Sequence, residues 1–167
     1  MKNVLQTLLT LAVITLFLAS CKKDDDTNQT LSKAWKVNSQ SYSQLTAIGA
    51  NMGPVYALMA VEEMPGGSNP INSFTVYFKT RPTADGTYKV TYHANLADLL
   101  TDEAMINAKE KSGNTEAVAT DANTGKVVTV KIEGGKLNIT VPQVAGLRGP
   151  LTGSKNEAVT LEGNITE

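Results

Sequence analysis

The sequence is poor in the residues that usually carry chemistry. It holds one cysteine, Cys21, and one histidine, His93, in 167 residues. A disulfide within the chain is therefore excluded, and a zinc site would lack its usual ligands. The formal net charge is −1, so the chain offers no strongly basic surface for nucleic acid. We expect no nucleic-acid partner, no metal and no cofactor. We also expect the hydrophobic core, and not disulfides, to stabilise the fold.

Long apolar runs are equally scarce, and the only one lies at the N-terminus. Lys2 gives this end a positive charge, Val4–Phe17 is apolar with polar interruptions, and small residues lead to Cys21. That order is typical of a secretory signal. A transmembrane helix needs ~20 mostly apolar residues, and this run is shorter. We predict that residues 1–20 are a signal peptide that is removed.

The predicted signal ends in the motif Leu18-Ala19-Ser20-Cys21. It resembles the lipobox of bacterial lipoproteins, in which the cysteine sulfur receives a diacylglyceryl group. The chain is then cut before the cysteine, and the new amino group is acylated. The resemblance implies membrane attachment through covalent lipid at Cys21, since two or more acyl chains make a stable anchor. An ordinary signal with an incidental cysteine is the alternative.

Five charged residues follow the motif directly: Lys22, Lys23, Asp24, Asp25 and Asp26. Because residues 22–30 include no apolar side chain, residues 21–31 are predicted to be the lipidated cysteine and a flexible tether. The charged run resembles the surface-export signal of Bacteroidota lipoproteins, which implies an outer-membrane protein that faces the cell exterior. A plain solvated linker is the alternative.

Residues 32–167 are predicted to form one β domain. Short segments alternate apolar and polar side chains, and turn-forming residues separate them. The pattern predicts an all-β fold, either an antiparallel β-sandwich or a partly open barrel, with at most one short helix near 96–101. Asn95 is the predicted cap of that helix. The predicted strands include 34–39, 74–79, 87–93, 117–120, 126–133, 136–141 and 159–165. The apolar run 55–61 fits either a strand buried on both faces or a short helix segment.

Gly134 and Gly135 join the best-specified predicted hairpin. Both can take φ > 0, as a two-residue type I′ turn requires, so segments 126–133 and 136–141 are expected to pair. A slip by one residue would set valines against threonines, which specifies the register. The register opposes Ile132 to Leu137, Val130 to Ile139, Val128 to Val141, Glu133 to Lys136 and Thr129 to Thr140.

The remaining connections are less constrained. Segments 74–79 and 87–93 are predicted to pair as a hairpin with a long loop. Pro142 is predicted to end its strand, and residues 146–156 to form a loop. Segment 103–110 fits a helix by propensity and equally a strand, and we expect a short helix followed by a strand. In that strand the inward residues are Ala104, Ile106 and Ala108.

Two local similarities extend into the domain. The opening Leu31–Val37 resembles that of lipocalin-like lipoproteins of Bacteroidota, with Lys33 or Ala34 where their glycine stands. Segments Gly125–Val130, Gly134–Val141 and Val159–Ile165, with Gly86-Thr87-Tyr88, resemble uncharacterised β-sandwich lipoproteins of the same phylum. That family has no activity to transfer, so the similarity implies a fold and a location only.

No residue set supplies a complete catalytic apparatus. Neither a G-x-S-x-G elbow nor a phosphate-binding glycine loop occurs, and His93 is predicted to be solvated on the polar face of a strand. We therefore expect no enzymatic activity. Exposed aromatic rings can stack on sugars, and the candidates for ligand binding are Tyr42, Tyr77 and His93. Alternation assigns the other large rings to the core: Trp35, Phe74, Phe78, Tyr88 and Tyr92.

Three functions are compatible with such a lipoprotein. The first, which we favour, is a non-catalytic domain that binds a glycan, a peptide or another envelope protein. The second is a lipocalin-like carrier of a small apolar ligand, which requires a barrel closed around a cavity. The third is a structural subunit that adds its terminal strand, 158–166, to a neighbour. A filled core favours the first function, and an unpaired terminal strand favours the third.

Overall fold

The structure is a computed structural model that describes residues 34–62 and 71–167. The residues predicted to form the signal peptide, the lipidated Cys21 and the tether lie outside these ranges. Within them, no helix combines the length and the apolar character that crossing a membrane requires. Two short 3-10 helices, Leu96–Asp98 and Lys111–Gly113, interrupt a structure that otherwise consists of strands and their connections.

Eleven strands make up the described part of the chain. In chain order they are β1 (Ala34–Val37), β2 (Gln40–Ser43), β3 (Thr46–Met52), β4 (Val55–Val61), β5 (Ser73–Phe78), β6 (Gly86–Val90), β7 (Glu103–Glu110), β8 (Thr115–Ala119), β9 (Val127–Glu133), β10 (Lys136–Pro150) and β11 (Glu157–Thr166). They form one sheet in the order β2-β1-β11-β10-β9-β6-β7-β5-β4-β3, and β8 pairs with both β10 and β7. Among these pairs only β6–β7 is parallel. The all-β prediction is confirmed.

The long strand β10 holds the sheet together because it pairs with three strands. β11 follows one of its sides, while β9 pairs with its first residues and β8 with its last. The register against β11 shifts between Val141 and Val144, which accommodates Pro142, a residue without an N–H to donate. Strands β10, β9, β6, β7 and β8 therefore form a closed circuit of pairing.

The predicted end of the strand at Pro142 is wrong, because β10 continues through the irregularity to Pro150. Of the predicted loop 146–156, only residues 151–156 lie between strands. A bulge lets a strand absorb a proline that would otherwise break its ladder. β11 then begins at Glu157 and pairs with β10 on one side and β1 on the other.

The two halves of the sheet face each other across a single core. The ring centroids of Trp35 on β1 and Phe74 on β5 lie 6.3 Å apart. At Gly163 on β11, an added Cβ would lie 3.2 Å from the Phe74 ring, so any larger residue would require the ring to shift. Trp35, Phe74 and Phe78 are buried as predicted. Tyr88 packs at the margin of the core, but Tyr92 is 42% exposed, so its predicted place in the core is wrong.

The predicted hairpin between 74–79 and 87–93 does not form. β5 pairs with β4 and β7, whereas β6 pairs with β9 and, over two residues, with β7. β4 and β7 occupy both sides of β5, and in the connecting loop Asp85 accepts hydrogen bonds from the Ile132 N–H at 2.8 Å and the Lys131 Nζ at 3.0 Å. These bonds hold the start of β6 against β9 and away from β5.

The other local predictions fare better. Asn95 caps the first 3-10 helix by accepting the Ala97 N–H at 3.1 Å. Segment 103–110 is a strand in which Ala104, Ile106 and Ala108 are buried. The β9–β10 hairpin has the predicted register from Glu133↔Lys136 to Thr140↔Thr129. The ladder ends at that pair, next to the irregularity in β10 that follows Val141, so the predicted pairing of Val128 with Val141 is wrong.

The β9–β10 turn makes a direct test of backbone strain. Gly134 has φ +58° and Gly135 has φ +80°, and an added Cβ would find open space at both positions. Gly134→Val should therefore destabilise the domain through its dihedral angles alone, by about 1–2 kcal/mol. Gly134→Asn should cost much less, since asparagine tolerates this conformation. Thermal unfolding measures both. Gly86→Val is the control, because Gly86 has no positive φ, and equal losses at both sites would contradict the turn assignment.

The carboxylate of Glu167 provides a second test, because its contribution to stability should depend on pH. It accepts bonds from the Tyr56 hydroxyl at 2.8 Å, Arg81 at 2.5 Å and the Leu137 N–H at 3.3 Å. Burial opposes ionisation, but these bonds outweigh it and hold the pKa of Glu167 below its ordinary value. A lowered carboxyl pKa contributes stability above the unfolded-state pKa, and that stability is lost as pH falls through the folded-state value.

Glu167→Gln should accordingly lower the free energy of unfolding at neutral pH by about 1–3 kcal/mol. The difference from the unaltered chain should shrink as pH falls from the ordinary carboxyl pKa of about 4.3 through the lower folded-state pKa, because the carboxyl of the unaltered chain becomes protonated over that range. Denaturant unfolding across pH measures this, with the exposed Glu133→Gln as control. A difference that is constant with pH would show that the Glu167 charge contributes nothing.

Candidate ligand-binding cleft

A cleft of about 240 Å³ opens on the outer face of the sheet, where β5, β7 and β8 lie side by side. We call it the Tyr77 cleft. Two tyrosines, five apolar residues and four polar residues line it: Tyr77, Tyr92, Ala94, Leu96, Met105, Ile106, Val118, His93, Asn107, Glu116 and Lys155. The lining is therefore amphipathic, with aromatic and polar groups that converge on one volume.

Strand alternation builds the floor of the cleft. Because Val76 and Phe78 on β5 point into the core, Tyr77 between them points outward. The ladders place Tyr77 opposite Met105 on β7, and Asn107 opposite Val118 on β8. Three neighbouring strands thus bring tyrosine, methionine, asparagine and valine side chains onto one outward surface.

The segment after β6 forms one wall. The predicted strand 87–93 ends at Val90, and the chain then leaves the ladder. The Thr91 N–H still donates to the Ala104 carbonyl at 3.1 Å, and the Tyr92 N–H donates to the Asp121 carboxylate at 2.8 Å. Freed from strand alternation, Tyr92 turns outward and borders the cleft beside His93.

A polar network ties the opposite side together. Asn107 Nδ2 donates to Glu116 Oε1 at 2.9 Å and more weakly to the Tyr77 hydroxyl at 3.4 Å. Lys155 Nζ lies 3.2 Å from Glu116 Oε2. Burial raises the pKa of Tyr77, so its phenol stays neutral at physiological pH and can donate a hydrogen bond. The cleft thus offers hydrogen-bond donors and acceptors, and the charges of Lys155 and Glu116 neutralise each other.

His93 is held by a carboxylate instead of being solvated as predicted. Its Nε2 lies 2.8 Å from Glu103 Oε2, and the two side chains are 26% and 15% exposed. Glu103 also accepts the Leu100 N–H at 3.0 Å. This pair fixes the position of the imidazole ring at the rim. In the described ranges, no group of three histidine, cysteine, aspartate or glutamate side chains could hold a metal ion.

Tyr42, the other predicted sugar-stacking residue, lies elsewhere. It is 6% exposed and stacks on Trp35 with a centroid distance of 5.5 Å. Its hydroxyl donates to Glu110 Oε1 at 2.7 Å, and Arg148 pairs with the same carboxylate at 2.9 Å. Because the ring is buried and stacked on Trp35, Tyr42 has no surface for a sugar.

A second hollow lies on the same face of the sheet, across Tyr77. It measures about 150 Å³, and its lining includes Ile48, Met52, Met59 and Tyr77 itself. Tyr77 therefore separates the polar cleft from a more apolar hollow. A ligand longer than one ring can contact both.

Sequence reasoning identified two of the residues that the structure brings together, Tyr77 and His93. It missed Asn107 and Glu116, although outward alternation on β7 and β8 was a usable signal for both. It also missed Lys155, which comes from a loop and carries no local signal. Comparisons of the chain with protein-family models, with curated proteins and with solved structures found no match.

Proposed function

We propose that this chain is a lipid-anchored envelope protein whose β domain binds a glycan, without catalysis, in the Tyr77 cleft. The observation that carries the proposal is the cleft itself, where two tyrosine rings meet an amide, a carboxylate and an ammonium group. Ligand sites are commonly apolar surfaces with a few convergent polar groups that fix orientation.

The chemistry of the lining favours a sugar. A pyranose ring has apolar C–H faces for tyrosine rings, and its hydroxyl groups match Asn107, Glu116 and Lys155. A volume of about 240 Å³ is small for a ligand site, which usually spans roughly 300–1,000 Å³. The cleft therefore suits one residue of a longer glycan, whose next residue contacts the hollow across Tyr77. A peptide or an envelope protein is the alternative ligand class.

The anchor is proposed from the N-terminal sequence. The motif that ends at Cys21 provides the lipid attachment, and the charged run Lys22–Asp26 provides the export signal, so the protein belongs to the outer membrane and faces the exterior. The described domain begins at Ala34, after a tether that keeps it near the bilayer. A binding domain held there meets soluble glycans directly.

Two other functions receive less support. A carrier needs an internal cavity, and Trp35, Phe74 and Phe78 occupy the space between the facing halves of this sheet. A subunit that donates its terminal strand needs that strand to be free, but β11 pairs on both sides. Neither requirement is met by the core or by the terminal strand.

Replacing the anchoring cysteine tests the location. Cys21→Ser should move the protein from the membrane fraction to the soluble fraction, because it removes the acceptor of the diacylglyceryl group. Fractionation and mass spectrometry of the mature N-terminus measure the outcome. An unaltered membrane distribution, or an intact Met1 in the purified protein, would contradict the anchor.

Replacing cleft residues tests the ligand. The protein should be retained by at least one member of a panel of neutral and acidic polysaccharides. Tyr92→Ala and Glu116→Gln should each weaken that binding about tenfold or more, which corresponds to roughly 1.4 kcal/mol. Val127→Ala is the matched control, since Val127 is exposed on β9 and does not line the cleft.

Affinity electrophoresis and calorimetry measure these effects. The glycan proposal fails if no polysaccharide is retained, or if both cleft variants bind as well as the control. Retention of peptides in place of glycans would support the cleft and reject its proposed ligand.

A further inference from the structure

The sheet has two outer edges in the described part of the chain, β2 and β3, and they differ in protection. β2 is four residues long, and its Ser43 N–H donates to the Glu62 carboxylate at 3.3 Å. β3 is seven residues long. Unpaired strand edges pair readily with other chains, and proteins normally shorten or block them. β2 is short and partly blocked, whereas β3 is neither.

The side chains of β3 offer none of the usual protection. Thr46–Met52 contains no charged residue and no proline, whereas protected edges carry lysine, proline or a twist. Ile48 is 42% exposed and Met52 is 53% exposed. With Ala50 between them, they form an apolar stripe on the outer face that continues into the hollow beside Tyr77.

The backbone groups that face outward follow from the β3–β4 turn. Met52 and Val55 close a two-residue loop, Gly53-Pro54, in which Gly53 has φ +60°. The closing pair of such a hairpin exchanges both hydrogen bonds, and every second pair along the ladder repeats this. The intervening residues, Ala47, Gly49 and Asn51, therefore direct their N–H and C=O groups away from β4.

The inner side of this edge is kept small. An added Cβ at Gly49 would lie 2.0 Å from the Tyr56 hydroxyl and 2.6 Å from Glu167 Oε1, so a side chain is excluded there. Every residue from Gly49 to Met52 is exposed. Among the described residues, the edge is therefore exposed and has no side chain on its inner face at Gly49.

We propose that two copies of this chain associate by antiparallel pairing of their β3 strands about Gly49. In that register Gly49 faces Gly49 of the second copy, and the outward groups of Ala47 meet those of Asn51. On the outer face, Ile48 of one copy lies opposite Ala50 of the other, so a large residue meets a small one. The strand is uncharged, and no like charges oppose each other in this pairing.

The same geometry limits the strength of the association. Seven residues at ~3.3 Å each give a contact about 23 Å long. One strand pair is smaller than a standard interface of roughly 1,200–2,000 Å². The dimer is therefore weak and depends on protein concentration.

Cysteine cross-linking tests the register. In the full chain with Cys21→Ser, no other thiol is present, and Ile48→Cys with Ala50→Cys places thiols directly opposite each other. Mild oxidation should give a covalent dimer. Met52→Cys alone is the control, because the proposed pairing separates its two copies by about 20 Å. No dimer from the double variant, or equal dimer from the control, overturns the proposal.

A charge on the edge tests the association without cross-linking. Ala50→Lys should abolish the rise in weight-average mass with concentration, as measured by sedimentation. Ser41→Lys on β2 should leave that rise intact, and circular dichroism confirms that both variants fold. A chain that stays monomeric at every concentration, or a dimer that Ala50→Lys leaves unchanged, contradicts the pairing through β3.

Discussion

The irregularity in β10 between Val141 and Val144 determines where the outer face becomes a cleft. Before it, β10 pairs with β9, and after it, β10 pairs with β8. The close approach of β8 needs Gly146, since a Cβ there would lie 2.8 Å from the Val118 carbonyl oxygen. With β8 seated between β10 and β7, Glu116 and Val118 come beside Asn107. The cleft is thus a consequence of how one long strand changes partners.

Polar groups are placed where the sheet ends or bends. Arg81 and Tyr56 meet Glu167 after β11, while Arg148 joins Glu110 and a second carboxylate, Glu157, at the other end of β10. Each carboxylate of these two clusters has a cationic partner, so the clusters close the ends of the core without leaving an uncompensated charge. The groups in the Tyr77 cleft differ in their setting, because they border open volume where a ligand can exchange hydrogen bonds with them.

Local chemistry made part of this fold predictable. The two glycines of the β9–β10 turn carried the register of that hairpin, and alternation assigned Phe74 and Phe78 to the core. Pairings between distant segments were not predictable, because turn residues show where a chain reverses and not which strand it joins. β6 pairs with β9 along a backbone ladder, and the Asp85 carboxylate just before β6 accepts the N–H of Ile132, which is 47 residues away. Tyr77 was a candidate because strand alternation is a local signal. The contribution of Lys155 could not be predicted, because it depends on the tertiary fold.

The most direct test of the central claim is nuclear magnetic resonance of the protein during titration with a polysaccharide that it retains. Binding in the cleft predicts that chemical-shift changes cluster at Tyr77, Asn107, Glu116 and Val118, with Tyr92 and His93 on the opposite wall. Residues of β1 and β11, on the other half of the sheet, should not shift. Changes that cluster on those strands, or that spread evenly over the domain, would contradict the account.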